Sequence, residues 1–178
     1  MKKVIAALLS IMMLLAGTTA FADKLDDIKA AGKLVVGTEA TFAPYEFYYT
    51  DPETGEEKLC GFEMDLARGI AEELGVELVV SDQAFSGLIT ALRSGELDCI
   101  MSGMSIKPDR AEVLDFSTPY FIGQQVVIVR EEDVDKYHTP ADFAGKQVGA
   151  QLGSLQQTVA EEQFPDSGAM LLNNVPLL

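Results

Sequence analysis

Strand-like and helix-like segments alternate along most of this chain, and that alternation constrains the fold more than any other feature. Helices are predicted over residues 25–31, 62–74 and 87–94, and strands over residues 33–37, 76–80 and 97–101. Neighbouring parallel strands need a crossover connection, and a helix between successive strands supplies it. The sequence therefore predicts an α/β protein with a mostly parallel sheet that is covered by helices on both faces.

The clearest helical pattern is the run Phe62–Leu74. Its apolar residues Phe62, Leu66, Ile70 and Leu74 recur every four positions, and a glycine follows the run as a stop signal. We expect this stripe to be the buried face of the helix. Arg68 is then expected on the solvated side.

The chain divides into two predicted lobes. Residues 23–123 form the first lobe, which includes a hairpin-like excursion around turn residues 51–56. Residues 124–130 are rich in β-branched side chains and are predicted to be a strand that crosses between the lobes as a hinge. Residues 131–178 begin a second α/β unit, which we expect to be truncated. Its predicted elements are helices at 140–143 and 154–164 and strands at 147–150 and 170–172.

The N-terminus has the features of a secretory signal. Lys2 and Lys3 precede an apolar run over residues 4–16, and Ala20 and Ala22 form the small-x-small pattern that signal peptidase cuts. The apolar run is shorter than the roughly 20 residues needed to span a bilayer. Residues 1–22 are therefore predicted to be a signal peptide that is cleaved after Ala22, which places the mature protein in the periplasm.

Composition limits the partners. A formal net charge of −15 argues against nucleic acid. The single His138, expected at the surface, and the separated Cys60 and Cys99 lack the spacing of metal ligands, so neither a metal nor another cofactor is predicted. The two cysteines of an exported chain could form a disulfide. Cys99 falls within a predicted strand, where a buried free thiol is typical, and both alternatives stay open.

The run SGMSIKPDR at residues 102–110 has the chemistry of a carboxylate site. It lies where a predicted strand ends and a helix begins, so Arg110, Ser102 and Ser105 converge with exposed backbone N–H groups. A guanidinium is a rigid two-pronged donor that matches a planar anion. The alternative is a tight surface turn with a solvated arginine.

These segments resemble the family 3 solute-binding proteins of ABC transporters, the polar amino acid group. The strongest match is GFEMDL at residues 61–66, followed at the family's spacing by Ile70, Ala71 and Leu74. Further matches are GTEATFAPYEF at 37–47, LRSGELD at 92–98, SGMSIKPDR at 102–110 and DFSTPY at 115–120. The resemblance implies the periplasmic-binding-protein type II fold, in which two lobes with a mostly parallel sheet each close on one amino acid.

The resemblance also implies the roles of residues in the SGMSIKPDR run. Arg110 would clamp the α-carboxylate of the ligand with help from Ser105. Ser102 and the backbone of Gly103 would face the α-ammonium group, whose protons a hydroxyl or carbonyl oxygen can accept. Met104 belongs to the same implied ligand-binding set.

Five further residues complete that set. Phe42 and Phe85 would flank the ligand side chain, with ordinary core packing as the alternative for Phe85. Glu39 would either pair with a basic ligand or point to solvent. Ser154 and Leu155 begin a helix whose N–H groups would meet the ligand carboxylate, as a helix N-terminus favours an anion.

The function that the resemblance implies is binding without catalysis. The protein would be a monomer that delivers a polar or basic amino acid to an ABC permease in the membrane. Two alternatives are a ligand-sensing domain of a membrane receptor and a periplasmic dehydratase on the same scaffold. The first would need a second apolar run of about 20 residues. The second would need a positioned acid or base, for which Glu39 alone is available.

Overall fold

The computed structural model describes residues 23–175. The predicted signal peptide and its cleavage position lie outside the described residues. Across the described part of the chain, no helix has the length and apolar character needed to cross a membrane.

The first lobe contains four helices and six strands. In chain order they are α1 (Lys24–Ala31), β1 (Lys33–Thr38), β2 (Thr41–Phe42), β3 (Glu46–Thr50), β4 (Glu57–Cys60), α2 (Phe62–Leu74), β5 (Glu77–Asp82), α3 (Leu88–Ser94), β6 (Cys99–Ile100) and α4 (Pro108–Ala111). Strands β5, β1 and β6 form a parallel sheet in that order. The predicted parallel sheet is thus confirmed for this lobe.

The two faces of β1 divide the core into two layers. Leu34 and Val36 pack in one cluster with Ala71 of α2, while Val35 packs against a second cluster that contains Leu88 of α3. Successive side chains of a strand point to opposite faces, so one strand supports both layers. Helices therefore cover both faces of the sheet, as the sequence predicts.

The buried face of α2 differs from the predicted one. Met64 and Ala67 are almost fully buried, whereas Phe62, Leu66 and Ile70 each keep 37% of their surface exposed. Because the side chain of Ala67 is small, the helix backbone can lie close to the sheet, and the larger apolar side chains are displaced to the flank of the contact. The prediction that Phe62, Leu66 and Ile70 form the buried face of the helix was wrong.

The predicted hairpin is confirmed. Strands β3 and β4 pair antiparallel, and β2 pairs with the other edge of β3. Gly61 connects β4 to α2 with a φ of 123°, and a Cβ atom there would lie 1.9 Å from the carbonyl oxygen of Tyr45. Only glycine lets the backbone of the helix start approach the hairpin this closely.

Both cysteines are free thiols. Burial, with a smaller contribution from the charge of Asp98, raises the pKa of Cys99 to about 11. The only histidine, His138, is exposed, as expected.

Residues 124–130 do not form the predicted crossing strand. The segment has no regular secondary structure and pairs with no strand among residues 23–175, and Val126 and Ile128 are 76% and 90% exposed. β-Branched composition favours a strand only where a neighbouring edge offers hydrogen bonds and packing, and the segment has neither here. The predicted strand is therefore corrected to an irregular segment without strand pairing. Its role as a hinge stays a prediction.

The second α/β unit is present as expected. It contains β7 (Gln147–Gln151), α5 (Leu155–Gln163) and β8 (Gly168–Leu172), with β7 and β8 parallel. The short helix predicted at 140–143 is the 3₁₀ turn Pro140–Phe143. Ser154 caps α5, since its hydroxyl oxygen accepts a hydrogen bond from the N–H of Gln157 at 3.1 Å.

Candidate functional site

A pocket lies between the end of the parallel sheet in the first lobe and the start of α5. Eight of the ten predicted ligand-binding residues line it: Phe42, Phe85, Ser102, Gly103, Ser105, Arg110, Ser154 and Leu155. The structure thus brings together residues that are far apart in sequence. That they bind a ligand stays a prediction.

Arg110 is the most unusual residue of the pocket, because its guanidinium is buried. The residue is 4% exposed; Nη1 donates to the carbonyl oxygen of Ser105 at 2.6 Å and Nη2 to that of Gly153 at 2.9 Å. Its Cζ atom lies 5.6 Å from the ring centroid of Phe85. Burial lowers the pKa of Arg110, with Asp109 acting in the opposite direction.

None of the ion pairs among residues 23–175 includes Arg110. A buried charge without a counter-ion is costly, so an anion in the pocket would stabilise the guanidinium. Arg68 differs in exposure and in charge pairing: its side chain is 48% exposed and pairs with Asp65 on the outer side of α2. The alternative of a solvated Arg110 at a surface turn is therefore wrong.

Ser102 and Gly103 form another part of the wall. The hydroxyl of Ser102 accepts the N–H of Glu39 at 3.0 Å and donates to Glu46 at 3.3 Å. Gly103 has a φ of 53°, and a Cβ atom there would lie 2.9 Å from the ring of Phe42. Backbone conformation and the aromatic wall thus both require glycine at this position.

Glu39 and Met104 are predicted site residues that do not line the pocket. Glu39 is 4% exposed, and its carboxylate accepts bonds from the hydroxyl of Thr41 at 2.7 and 2.8 Å and from Nε2 of Gln151 at 3.0 Å. The alternative that Glu39 points to solvent is wrong, because these donors hold the carboxylate inside the protein. Met104 packs against the apolar cluster around Leu88.

Hydrogen bonds join the first lobe to the second around the pocket. Besides the contacts of Arg110 with Gly153 and of Glu39 with Gln151, Nζ of Lys107 donates to the hydroxyl of Thr158 at 3.0 Å. These polar contacts bring the N-terminus of α5 to the guanidinium. The pocket is consequently completed by residues from both lobes.

Sequence reasoning missed three lining residues, Gln151, Gln156 and Val175. Gln151 is the last residue of β7, next to the predicted strand over residues 147–150. The carboxyl ends of parallel strands are where α/β folds bind ligands, so its position was a usable signal.

Sequence reasoning also missed two buried carboxyl groups behind the Ser102–Gly103 wall. Glu46 and Glu63 are 0% and 1% exposed. Burial, followed by the charge of Glu63 and a hydrogen bond with it, raises the pKa of Glu46 to about 10. The only signal in the sequence was that both acidic residues have apolar neighbours. Glu46 is at the start of a strand and Glu63 is in the first turn of a helix.

Known proteins match this chain in sequence. A model of the bacterial extracellular solute-binding proteins, family 3, matches residues 34–168. The arginine-binding extracellular protein ArtP of Bacillus subtilis (strain 168) is 35% identical over 136 residues, which are 76% of this chain and 50% of ArtP. The chain spans about half the length of the curated relatives it matches.

Solved structures match the fold. The substrate-binding protein AbpA of Streptococcus pneumoniae bound to L-arginine has a TM-score of 0.82 and 38% identity, over 85% of this chain and 63% of AbpA. The ancestral amino acid-binding protein AncCDT-1, a precursor of cyclohexadienyl dehydratase, has a TM-score of 0.78 and 34% identity, over 85% of this chain and 66% of AncCDT-1. The predicted type II periplasmic-binding-protein fold is confirmed.

Proposed function

The chain belongs to the bacterial extracellular solute-binding proteins, family 3, and from that premise we propose that it binds a free amino acid in the pocket around Arg110. The ligand is a polar or basic amino acid, and the protein delivers it to an ABC permease. Binding involves no covalent chemistry. The protein acts as a monomer in the periplasm, to which the signal peptide directs it.

The observation that carries this proposal is the buried guanidinium of Arg110 without a carboxylate partner in the described part of the chain. A planar guanidinium binds a carboxylate with two parallel hydrogen bonds, which fixes the orientation of the anion as well as its position. An α-carboxylate in the pocket would exchange some of the carbonyl contacts of Arg110 for charged ones, which are stronger.

The N-terminus of α5 supports the same end of the ligand. Ser154 and Leu155 line the pocket beside Arg110, and the first N–H groups of a helix carry a partial positive charge. The α-carboxylate would therefore lie between the guanidinium from one lobe and a helix start from the other. Closure of the lobes around the ligand follows from this shared contact.

The remaining walls suit the rest of an amino acid. Ser102 and Gly103 line the pocket, and their oxygen atoms would accept protons from the α-ammonium group. The rings of Phe42 and Phe85 would enclose the aliphatic stem of a side chain. Gln151 lines the pocket and provides a polar group for the end of a polar or basic side chain, and the carboxylate of Glu39 lies behind it as its hydrogen-bond partner. Glu39 would have to shift from its present contacts to reach a ligand.

A dehydratase is the second candidate, because AncCDT-1 is a precursor of such an enzyme. Proton transfer would need a titratable acid or base aimed into the pocket. Arg110 is the only titratable residue that lines the pocket as described, and a guanidinium does not lose its proton in proteins. Binding is favoured over catalysis because two relatives are arginine-binding proteins and because the described pocket lining has no titratable acid or base.

Titration of the ¹⁵N-labelled chain tests the proposal, because NMR detects weak as well as tight binding. Arginine and agmatine, which lacks only the α-carboxylate, are compared, with glutamine and leucine as polar and apolar probes. We expect arginine to shift the amide signals of Ser105, Gly153 and Ser154, and agmatine to leave them in place. Equal shifts with agmatine, or no response to any amino acid, would contradict the proposal.

A further inference from the structure

Two buried carboxyl groups lie directly behind the pocket wall, and the proposed binding of a carboxylate by Arg110 does not use them. Glu46 accepts a hydrogen bond from Ser102, and both carboxylate oxygens of Glu63 accept the N–H of Gly103, at 3.1 and 3.0 Å. Ser102 and Gly103 themselves line the pocket. The carboxyl group of Glu63 is thus separated from the pocket by a single peptide unit.

The two carboxyl groups differ in their hydrogen-bond donors. Glu63 accepts the Gly103 N–H and the hydroxyl of Tyr120, the latter at 2.7 Å. Glu46 accepts only the hydroxyl of Ser102 at 3.3 Å, and its Oε2 atom has no protein donor within residues 23–175. Neighbouring buried carboxyl groups cannot both ionise without a large cost. Glu63 thus has the donors that stabilise a carboxylate, whereas burial raises the pKa of Glu46 to about 10, so the proton of the pair lies on Glu46.

No protein cation balances that charge in the described structure. The titratable groups that face the pair are Glu39, Tyr45 and Tyr120, none of which is cationic. Burial, the hydrogen bond to Glu63 and nearby negative charge all raise the pKa of Tyr120, so its hydroxyl stays a donor. Two buried groups of opposite charge type therefore lie at the pocket: the guanidinium of Arg110 in its lining, and the carboxyl group of Glu63 behind Gly103.

We propose that the Glu63 carboxylate is a specificity-determining group whose buried charge, one peptide behind the Ser102–Gly103 wall, selects ligands that carry an α-ammonium group. The inference rests on the proposed function, since it concerns the other end of the amino acid held by Arg110. Charges separated by one peptide in a poorly solvated site interact much more strongly than in water. Arg110 and Glu63 together match the charge distribution of a zwitterion.

The test compares arginine with des-amino-arginine, which keeps the carboxylate and the guanidinium. Glu63→Gln alone is insufficient, because Glu46 could then ionise and restore the charge. The informative pair is Glu46→Gln, which removes only a neutral group, and the double variant Glu46→Gln/Glu63→Gln, which removes the charge. Asp65→Asn is the matched control, since it removes a carboxylate from the exposed side of the same helix.

We expect the wild-type chain, Glu46→Gln and Asp65→Asn to prefer arginine over des-amino-arginine by a similar ratio. In the double variant the preference for arginine over des-amino-arginine should be about tenfold smaller. The reason is that only arginine has the α-ammonium group that interacts with the missing charge. An unchanged ratio in the double variant would overturn the inference while leaving the proposed function intact. If the wild-type chain binds neither molecule, the proposed function fails and the inference fails with it.

The charge of the two carboxyl groups can also be measured in the wild-type chain, so this test does not depend on whether a variant folds. ¹³C NMR of the glutamate carboxyl groups at about pH 7 reports the charge of each group directly. Glu46 should be protonated and Glu63 ionised. Two ionised groups, or the proton on Glu63, would overturn the assignment of the charge independently of any ligand.

Discussion

Arg110 donates a hydrogen bond from Nη2 to the carbonyl oxygen of Gly153, 2.9 Å away, and so connects the first lobe to the turn before α5. The donor comes from the short helix α4 and the acceptor from a glycine with a φ of 80°. A Cβ atom at Gly153 would lie 3.4 Å from the backbone of Ser86. The two lobes therefore approach each other at the position where the ligand carboxylate is proposed to bind.

The corrected buried face of α2 predicts which substitutions destabilise the protein. Met64→Ala removes a side chain that is 1% exposed and should lower the free energy of unfolding by about 2–5 kcal/mol. Leu66→Ala, one of the half-buried stripe residues, should cost about 1 kcal/mol or less. Urea unfolding of both variants measures the difference. A larger loss for Leu66→Ala would restore the stripe as the buried face.

Gly103→Ala should weaken ligand binding. A Cβ atom there must displace the ring of Phe42, and its φ of 53° adds roughly 1–2 kcal/mol of backbone strain. Gly75→Ala is the control, because Gly75 has a similar φ of 69° but no atom within 4 Å of the added Cβ. Both variants should lose stability in urea unfolding, Gly103→Ala more than Gly75→Ala because of the contact with Phe42, and only Gly103→Ala should lose affinity in the arginine titration. Equal losses of affinity in the two variants would contradict the claim that a Cβ atom at Gly103 weakens binding by its effect on the pocket.

The buried Glu46 predicts how stability depends on pH. Its pKa is raised from 4.5 to about 10 in the folded protein, so the folded state retains a proton that the unfolded state releases. The contribution of Glu46 to the free energy of unfolding is therefore greatest below about pH 4.5. It falls, by at most about 1.4 kcal/mol per pH unit, as the pH rises towards 10. Glu46→Gln should unfold with a weaker pH dependence than the wild type. The same slope in both proteins would show that Glu46 is ionised in the folded state.

The sequence predicted the parallel sheet and the hairpin because periodicity and turn residues are properties of short segments. Eight of the pocket residues were predicted mainly from the family resemblance of short motifs. Sequence reasoning failed at α2, because whether Ala67 or Leu66 faces the sheet depends on how closely the helix packs. It failed at residues 124–130, because a strand needs a neighbouring edge that composition does not show. The buried Glu46 and Glu63 were missed for a similar reason: their burial results from contacts between residues far apart in sequence.

The alternatives for Glu39 also depended on long-range contacts. Its carboxylate contacts Gln151, which is 112 positions away in sequence. The sequence around Glu39 cannot show that partner. The two predicted alternatives were therefore that the carboxylate pairs with a basic ligand or that it points to solvent. The structure adds a third arrangement, in which the carboxylate connects the two lobes.

The central claim is that the guanidinium of Arg110 binds the α-carboxylate of an amino acid, and arginine titrations of Arg110→Ala and Arg68→Ala by NMR test it most directly. Loss of a buried charge-assisted contact should weaken binding by at least about tenfold in Arg110→Ala. Arg68→Ala, which removes an exposed arginine outside the pocket, should bind as the wild type does. The claim is contradicted if folded Arg110→Ala binds arginine with wild-type affinity, or if both variants weaken binding equally.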